Sequence, residues 1–125
     1  MRPTVLAKLL LMLSTIAVAQ GRKVADPETV VKAHIAIQEY VRKDEQLKGG
    51  FFLLDPQKDT VRNLKLEQVH TEVDRMSANR YVSCVNFVDQ NNNKLDVDFY
   101  LTPGAGNGLE VAKIKIHKVN GVKRK

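Results

Sequence analysis

Residues 93–119 read NKLDVDFYLTPGAGNGLEVAKIKIHKV, and the rest of the chain is organised around them. Leu95, Val97, Phe99 and Leu101 alternate with Asp96, Asp98 and Tyr100, the period-2 pattern of a strand buried on one face. Beyond a glycine-rich turn, Ala112, Ile114 and Ile116 alternate with Lys113, Lys115 and His117. An antiparallel register that opposes Val97 to Ile114, Leu95 to Ile116 and Phe99 to Ala112 also opposes Asp96 to Lys115 and Asp98 to Lys113. Both faces are then satisfied, whereas a one-residue slip puts lysines against the core. The stretch therefore predicts a hairpin whose charges pair across the strands.

Upstream, Asp26-Pro27-Glu28 opens a helix, with Asp as N-cap, Pro at the first helical position and an acid in the first turn. Val30, Ala33, Ile37, Tyr40 and Val41 form its apolar stripe, with His34 at the edge and Gly49-Gly50 as the stop. His34 is expected to contact the first strand, Phe51-Phe52-Leu53-Leu54, which Asp55-Pro56 terminates. Leu64 and Leu66 start a second strand that Val69, Thr71 and Val73 continue in opposite phase, the mark of a β-bulge near Glu67-Gln68. A third strand, 81–89, is apolar on both faces: Tyr81, Val85 and Phe87 on one, Val82, Cys84 and Val88 on the other. The turn cluster 89–93 closes it onto the opening hairpin. One N-terminal helix followed by an antiparallel meander of four to five strands, without parallel crossovers, is α+β, with the helix lying on a curved sheet.

The first residues, MRPTVLAKLLLMLSTIAVAQ, combine a basic start, a short apolar run and the small-x-small pattern Ala17-Val18-Ala19. That is the order of parts in a secretory signal peptide. The run is about half the roughly 20 residues a transmembrane helix needs. Cleavage after Ala19 is expected to leave 20–125 as a single secreted or periplasmic domain without a membrane anchor. Cys84 is the only cysteine, so no internal disulfide forms even in an oxidising compartment. A disulfide-free exported domain of this size points to a bacterial source. The formal charge of +6 is concentrated at the end, where Lys113, Lys115, Lys118, Lys123, Arg124 and Lys125 meet only Glu110. With Lys113 and Lys115 paired to aspartates, this leaves a solvated basic tail and no specific nucleic-acid surface.

One helix before an antiparallel meander with a bulged strand resembles the cystatin-like group of folds, which includes the cystatins and, more distantly, NTF2-like and PepSY-like domains. The resemblance runs from Asp26 to Val119 and also extends to small exported bacterial proteins built from such a helix and sheet. It implies a curved sheet able to carry a binding surface or, in NTF2-like relatives, a small-molecule active site. Inhibitory cystatins use a Gln-x-Val-x-Gly tip and a Pro-Trp tip. Here Gln68-Val69 runs into His70-Thr71, there is no Trp, and the later turn is Pro103-Gly104, so protease inhibition is disfavoured.

Four features carry candidate chemistry. His34, His70 and His117 lack the spacing of a local metal motif. In a simple meander, His70 and His117 stand about 14 Å apart, with two strands between them. No metal or other cofactor is therefore expected. Asp96 and Asp98, with His117 nearby, have the makings of acid–base chemistry, which the expected lysine pairs would quench. The loop 102–108 is glycine-rich but joins two strands, without the helix that phosphate-cradling loops lead into. The apolar outer face formed by Val82, Cys84 and Val88, with Tyr100 beside it, is what a free surface should not show. The expectation is an exported, non-catalytic binding module. Its contact candidates are Tyr100, His117, His70, Val82, Cys84 and Val88, and its partner is a protein, a small apolar ligand or a second copy docking through the sheet. The alternative is an NTF2-like enzyme with Asp96 or Asp98 as base.

Overall fold

The computed structural model describes residues 23–125; the expected signal peptide and its cleavage after Ala19 lie outside them. The elements in order are β1 (Lys23–Val24), α1 (Pro27–Lys48), β2 (Phe51–Asp55), β3 (Thr60–Ser77), β4 (Arg80–Val88), β5 (Lys94–Pro103), β6 (Leu109–Val119) and β7 (Val122–Lys123). The strands form one curled antiparallel sheet in the order β1-β3-β4-β5-β6-β7, with β2 paired to the start of β3. The class is α+β, as expected, but the sheet has seven strands, not four to five. The helix is also not the first element. Lys23 and Val24 pair with Arg75 and Asp74 of β3, and at the other end Asn120 (φ 51°) and Gly121 (φ 81°) turn β6 back into β7. Asn-Gly accepts the two left-handed positions of a tight hairpin without strain. Among the described residues, no helix is long and apolar enough to cross a membrane.

Local chemistry sets both ends of α1. The Asp26 carboxylate accepts from the Thr29 amide at 2.8 Å. At the far end Gly49, at φ 81°, donates its amide to the Glu45 carbonyl, a backbone angle that suits glycine. Ala33, Ile37 and Val41 are buried against the sheet. There they meet Phe51, Phe87 and Phe99, whose ring centroids lie 5.3–6.3 Å apart. Tyr40 abuts Phe51 and Phe99 edge-on, the geometry favoured by the ring quadrupole. Val85, Leu95, Val97 and Leu101 complete this side of the sheet. The phase break in β3 is a bulge: Leu66 opposes Phe87 and Gln68 opposes Asn86, leaving Glu67 as the extra residue.

In the hairpin of β5 and β6, β5 keeps its faces but the register differs from that expected, and in β6 Val111 packs against the core while Ala112, expected there, is exposed. Val97 opposes Ile116, Phe99 opposes Ile114, Asp98 opposes Lys115, Tyr100 opposes Lys113 and Asp96 opposes Lys118. The tip pairs Pro103 with Leu109, and the Gly104 amide donates to the Gly108 carbonyl. This turn and two register shifts, at Asp96/Val97 and Tyr100/Leu101, move the partners by one residue near the tip and by two and then three further along the ladder. The expected pairs Asp96–Lys115 and Asp98–Lys113 are therefore absent. Lys113 instead places its ammonium over the Tyr100 ring, 5.5 Å from the centroid.

A buried ion network closes the end of the sheet. Arg62 donates through Nε and Nη2 to Asp55 at 2.9 and 2.7 Å and through Nη1 to Asp89. Arg124 forks onto both Asp55 oxygens at 2.7 and 2.9 Å. Asp55 is fully buried, and Arg62 and Asp89 are under one-tenth exposed. The basic tail is thus not wholly solvated, because β7 delivers Arg124 to a carboxylate that the β2–β3 turn has taken out of water. Hydrogen bonds from Arg124 hold the Asp55 carboxyl far below its usual range, against the opposing effect of burial. Burial raises Asp89, but donors from Asn93, Asn91 and Arg62 outweigh it and the net shift is downward.

Candidate functional site

The face of β4 and β5 away from the helix carries Val82, Cys84, Asn86 and Val88 beside Asp96, Asp98 and Tyr100. These are half-buried, while the alternating residues Ser83, Val85, Phe87, Val97 and Phe99 are buried on the helix side. Strand alternation accounts for this placement. His117 joins this face from β6 by alternation with the buried Ile116, and a bulge begins there. Val97 opposes Ile116 and Asp96 opposes Lys118, so His117 is its extra residue. The bulge brings Lys118 to the outer face as well, where strict alternation would have sent it to the helix side. In β3 the pairing is interrupted between Val69 and Val73, and His70 and Glu72 come to the same place.

Around these residues lies a cavity of about 330 Å³. Tyr100, His117, His70, Val82 and Cys84 all line it, together with Asp96, Asp98 and Met76. Val88 shares the face but lies outside the cavity, opposite Lys65 and Lys94.

Two polar systems meet there. His70 donates through Nε2 to the Asn86 side-chain oxygen at 2.7 Å, and the Asn86 amide donates to Asp96 at 2.7 Å. On the other side of His70, its backbone carbonyl accepts from His34 Nε2 at 2.8 Å. The helix histidine thus contacts β3, not the expected β2, and braces the strand that carries His70. The second system is Asp98 with His117, Nδ1 to Oδ2 at 3.5 Å. Burial raises the Asp98 carboxyl above its ordinary value, the neighbouring Asp96 adds to this, and His117 and Lys115 offset it only in part. Cys84 is the direct cross-strand partner of Asp98. Burial first, then the charges of Asp98 and Asp96, push its thiol up to about 11, so it is a thiol rather than a thiolate at neutral pH and a poor nucleophile.

Cys84 Sγ, an Asp98 oxygen and a His117 ring nitrogen lie within 4.8 Å of one another. The expected obstacle to a metal, two strands between His70 and His117, does not apply to this trio, which needs only β4, β5 and β6. Sequence periodicity places Cys84 and Asp98 on one face and His117 near the aspartates, but it cannot locate the bulge in β6, so the contact of His117 with Asp98 in particular was not readable. No protein-family model, no curated protein and no solved structure matches the chain.

Proposed function

We propose that the protein is a small exported binding module, cystatin-like in its arrangement of helix and sheet, that takes a small ligand on the outer face of β4–β6. One observation carries the reading: the cavity among Val82, Cys84, Tyr100, His70 and His117. Its volume, about 330 Å³, is at the lower end of the range for small-molecule sites. Its walls combine apolar surface from Val82, Met76 and the Tyr100 ring with a larger set of ionisable side chains, the acids Glu72, Asp74, Asp96 and Asp98 among them, so the site suits a polar or cationic ligand with a small apolar part.

Native mass spectrometry of the protein purified from its own host's envelope tests this. Wild type is expected to carry a small adduct that a cavity-filling Val82→Trp variant lacks. A bare monomer, or an adduct indifferent to Val82→Trp, sinks the small-ligand reading, and a dimer that Val82→Trp dissociates shows that a second copy covers the face. The raised Asp98 carboxyl beside His117 supports a second reading, an acid–base enzyme with Asp98 as base. Turnover of the captured ligand by wild type and not by Asp98→Asn would establish it.

A further inference from the structure

We infer that Cys84, Asp98 and His117 form a binding site for a zinc-class divalent transition-metal ion. The three side chains come from three adjacent strands. Cys84 and Asp98 are directly opposed, and the β6 bulge seats His117 beside Asp98, 3.5 Å away. Their donor atoms all fall within 4.8 Å of one another. Tetrahedral zinc with one sulfur, one nitrogen and one oxygen ligand needs separations of about 3.3–3.8 Å, so side-chain rotations closing roughly 1 Å complete the site without backbone movement.

The donor set selects the ion. Thiolate and imidazole suit zinc, cobalt and their neighbours, whereas magnesium and calcium call for all-oxygen shells. The surroundings fit a cation as well. Asp96 stands next along β5, and Glu72 and Asp74 on β3 line the same cavity, against Lys118 and His70. On binding, the Cys84 S–H proton leaves to solvent as the sulfur bonds to the metal, and no electrons change hands. Three protein ligands leave a fourth position open toward the cavity for water or a ligand donor. The inference rests on the outer face being a binding surface and assigns the ion as its anchor.

Titration of the purified protein with cobalt(II) alone, followed by competition with zinc(II), tests it. The expected result is one equivalent bound, with a near-ultraviolet thiolate-to-cobalt absorption band that zinc abolishes. Cys84→Ser removes the band. Asp98→Asn and His117→Gln each weaken binding by more than about 100-fold, beyond the 10–100-fold typical of an outer-sphere change. Lys43→Ala, on the exposed side of α1, leaves both band and affinity unchanged. Circular dichroism establishes that each variant is folded, and Cys84→Ala and His117→Asn replace any that is not. Absence of the band at stoichiometric cobalt, its survival in Cys84→Ser, or indifference to Asp98→Asn overturns the site. If the band is absent while Val82→Trp still abolishes the copurifying adduct, the metal falls and the binding module stands.

Discussion

The molecule holds two clusters of buried or half-buried aspartates, and they are treated in opposite ways. At the end of the sheet, Asp55 and Asp89 are enclosed by Arg62 and Arg124 through short charge-assisted hydrogen bonds, and both carboxyls are pushed down. On the outer face, Asp98 has lost water without gaining an arginine; it meets the His117 ring at 3.5 Å, and its carboxyl is pushed up. The first cluster has every charge answered within the chain, which is the signature of a lock. The second leaves a carboxylate under-compensated beside a thiol and an imidazole at a cavity, which is the arrangement of a site.

Removing Arg62 should produce the largest effect on this contrast. Arg62→Met leaves Asp89 buried with no cationic partner, and loss of one member of such a network costs about 3–5 kcal/mol. Urea denaturation of wild type and variant measures the difference. A change under about 1 kcal/mol would place the network with ordinary surface pairs and erase the distinction between the clusters. The same network sets the acid limit. Asp55 and Asp89 have folded-state pKa values below their unfolded ones, so their contribution is complete above about pH 4 and is lost as pH falls through the lowered values. Cooperative unfolding below pH 4 is the expected outcome.

Arg124 comes next. It docks the chain's end on Asp55, which keeps Arg62 when Arg124 is removed, so no buried charge is left alone. Arg124→Ala should cost about 1–3 kcal/mol, the range for hydrogen bonds to charged groups, and should expose the amides of β7 to faster hydrogen exchange. Exchange unchanged in Val122 and Lys123 would mean that the Asn120-Gly121 turn alone holds β7.

How far the sequence reveals each region follows from what encodes it. The helix is legible because Asp26-Pro27, the 3.6-residue stripe and Gly49 all act locally. So are the faces of β4 and β5, because period 2 is a local property: Val82 and Cys84 stand where alternation puts them, and so do Val85 and Phe87. Partners across strands are less legible. The 103–109 closure and two register shifts place Asp98 opposite Lys115 and Asp96 opposite Lys118 in place of Lys113 and Lys115, an outcome set by turn geometry that alternation cannot see. Asn120-Gly121 carries a strong hairpin signal, yet the pairing of Arg124 with Asp55, 69 positions away, lies in tertiary structure alone. Asp55 and Asp89 read as residues that end strands and open turns, which they do, and nothing local shows that arginines bury them.

The smallest expected effect belongs to Asp98, and its sign is what matters. A carboxyl whose folded-state pKa is raised opposes folding once it ionises, and the opposition is relieved as pH falls through the raised value toward the unfolded one. Asp98→Asn should therefore stabilise the metal-free protein at pH 7, by less than about 1 kcal/mol given partial exposure and solvent screening. The gain should vanish near pH 4, where the wild-type carboxyl is itself protonated. Urea midpoints at the two pH values, with chelator present, read both numbers. Destabilisation at pH 7 would show that Asp98–His117 is a structural ion pair like those at the other end of the sheet. A gain at pH 7 that vanishes at pH 4 means the fold tolerates the aspartate at a cost, which gives a ligand-binding role for Asp98 its thermodynamic footing.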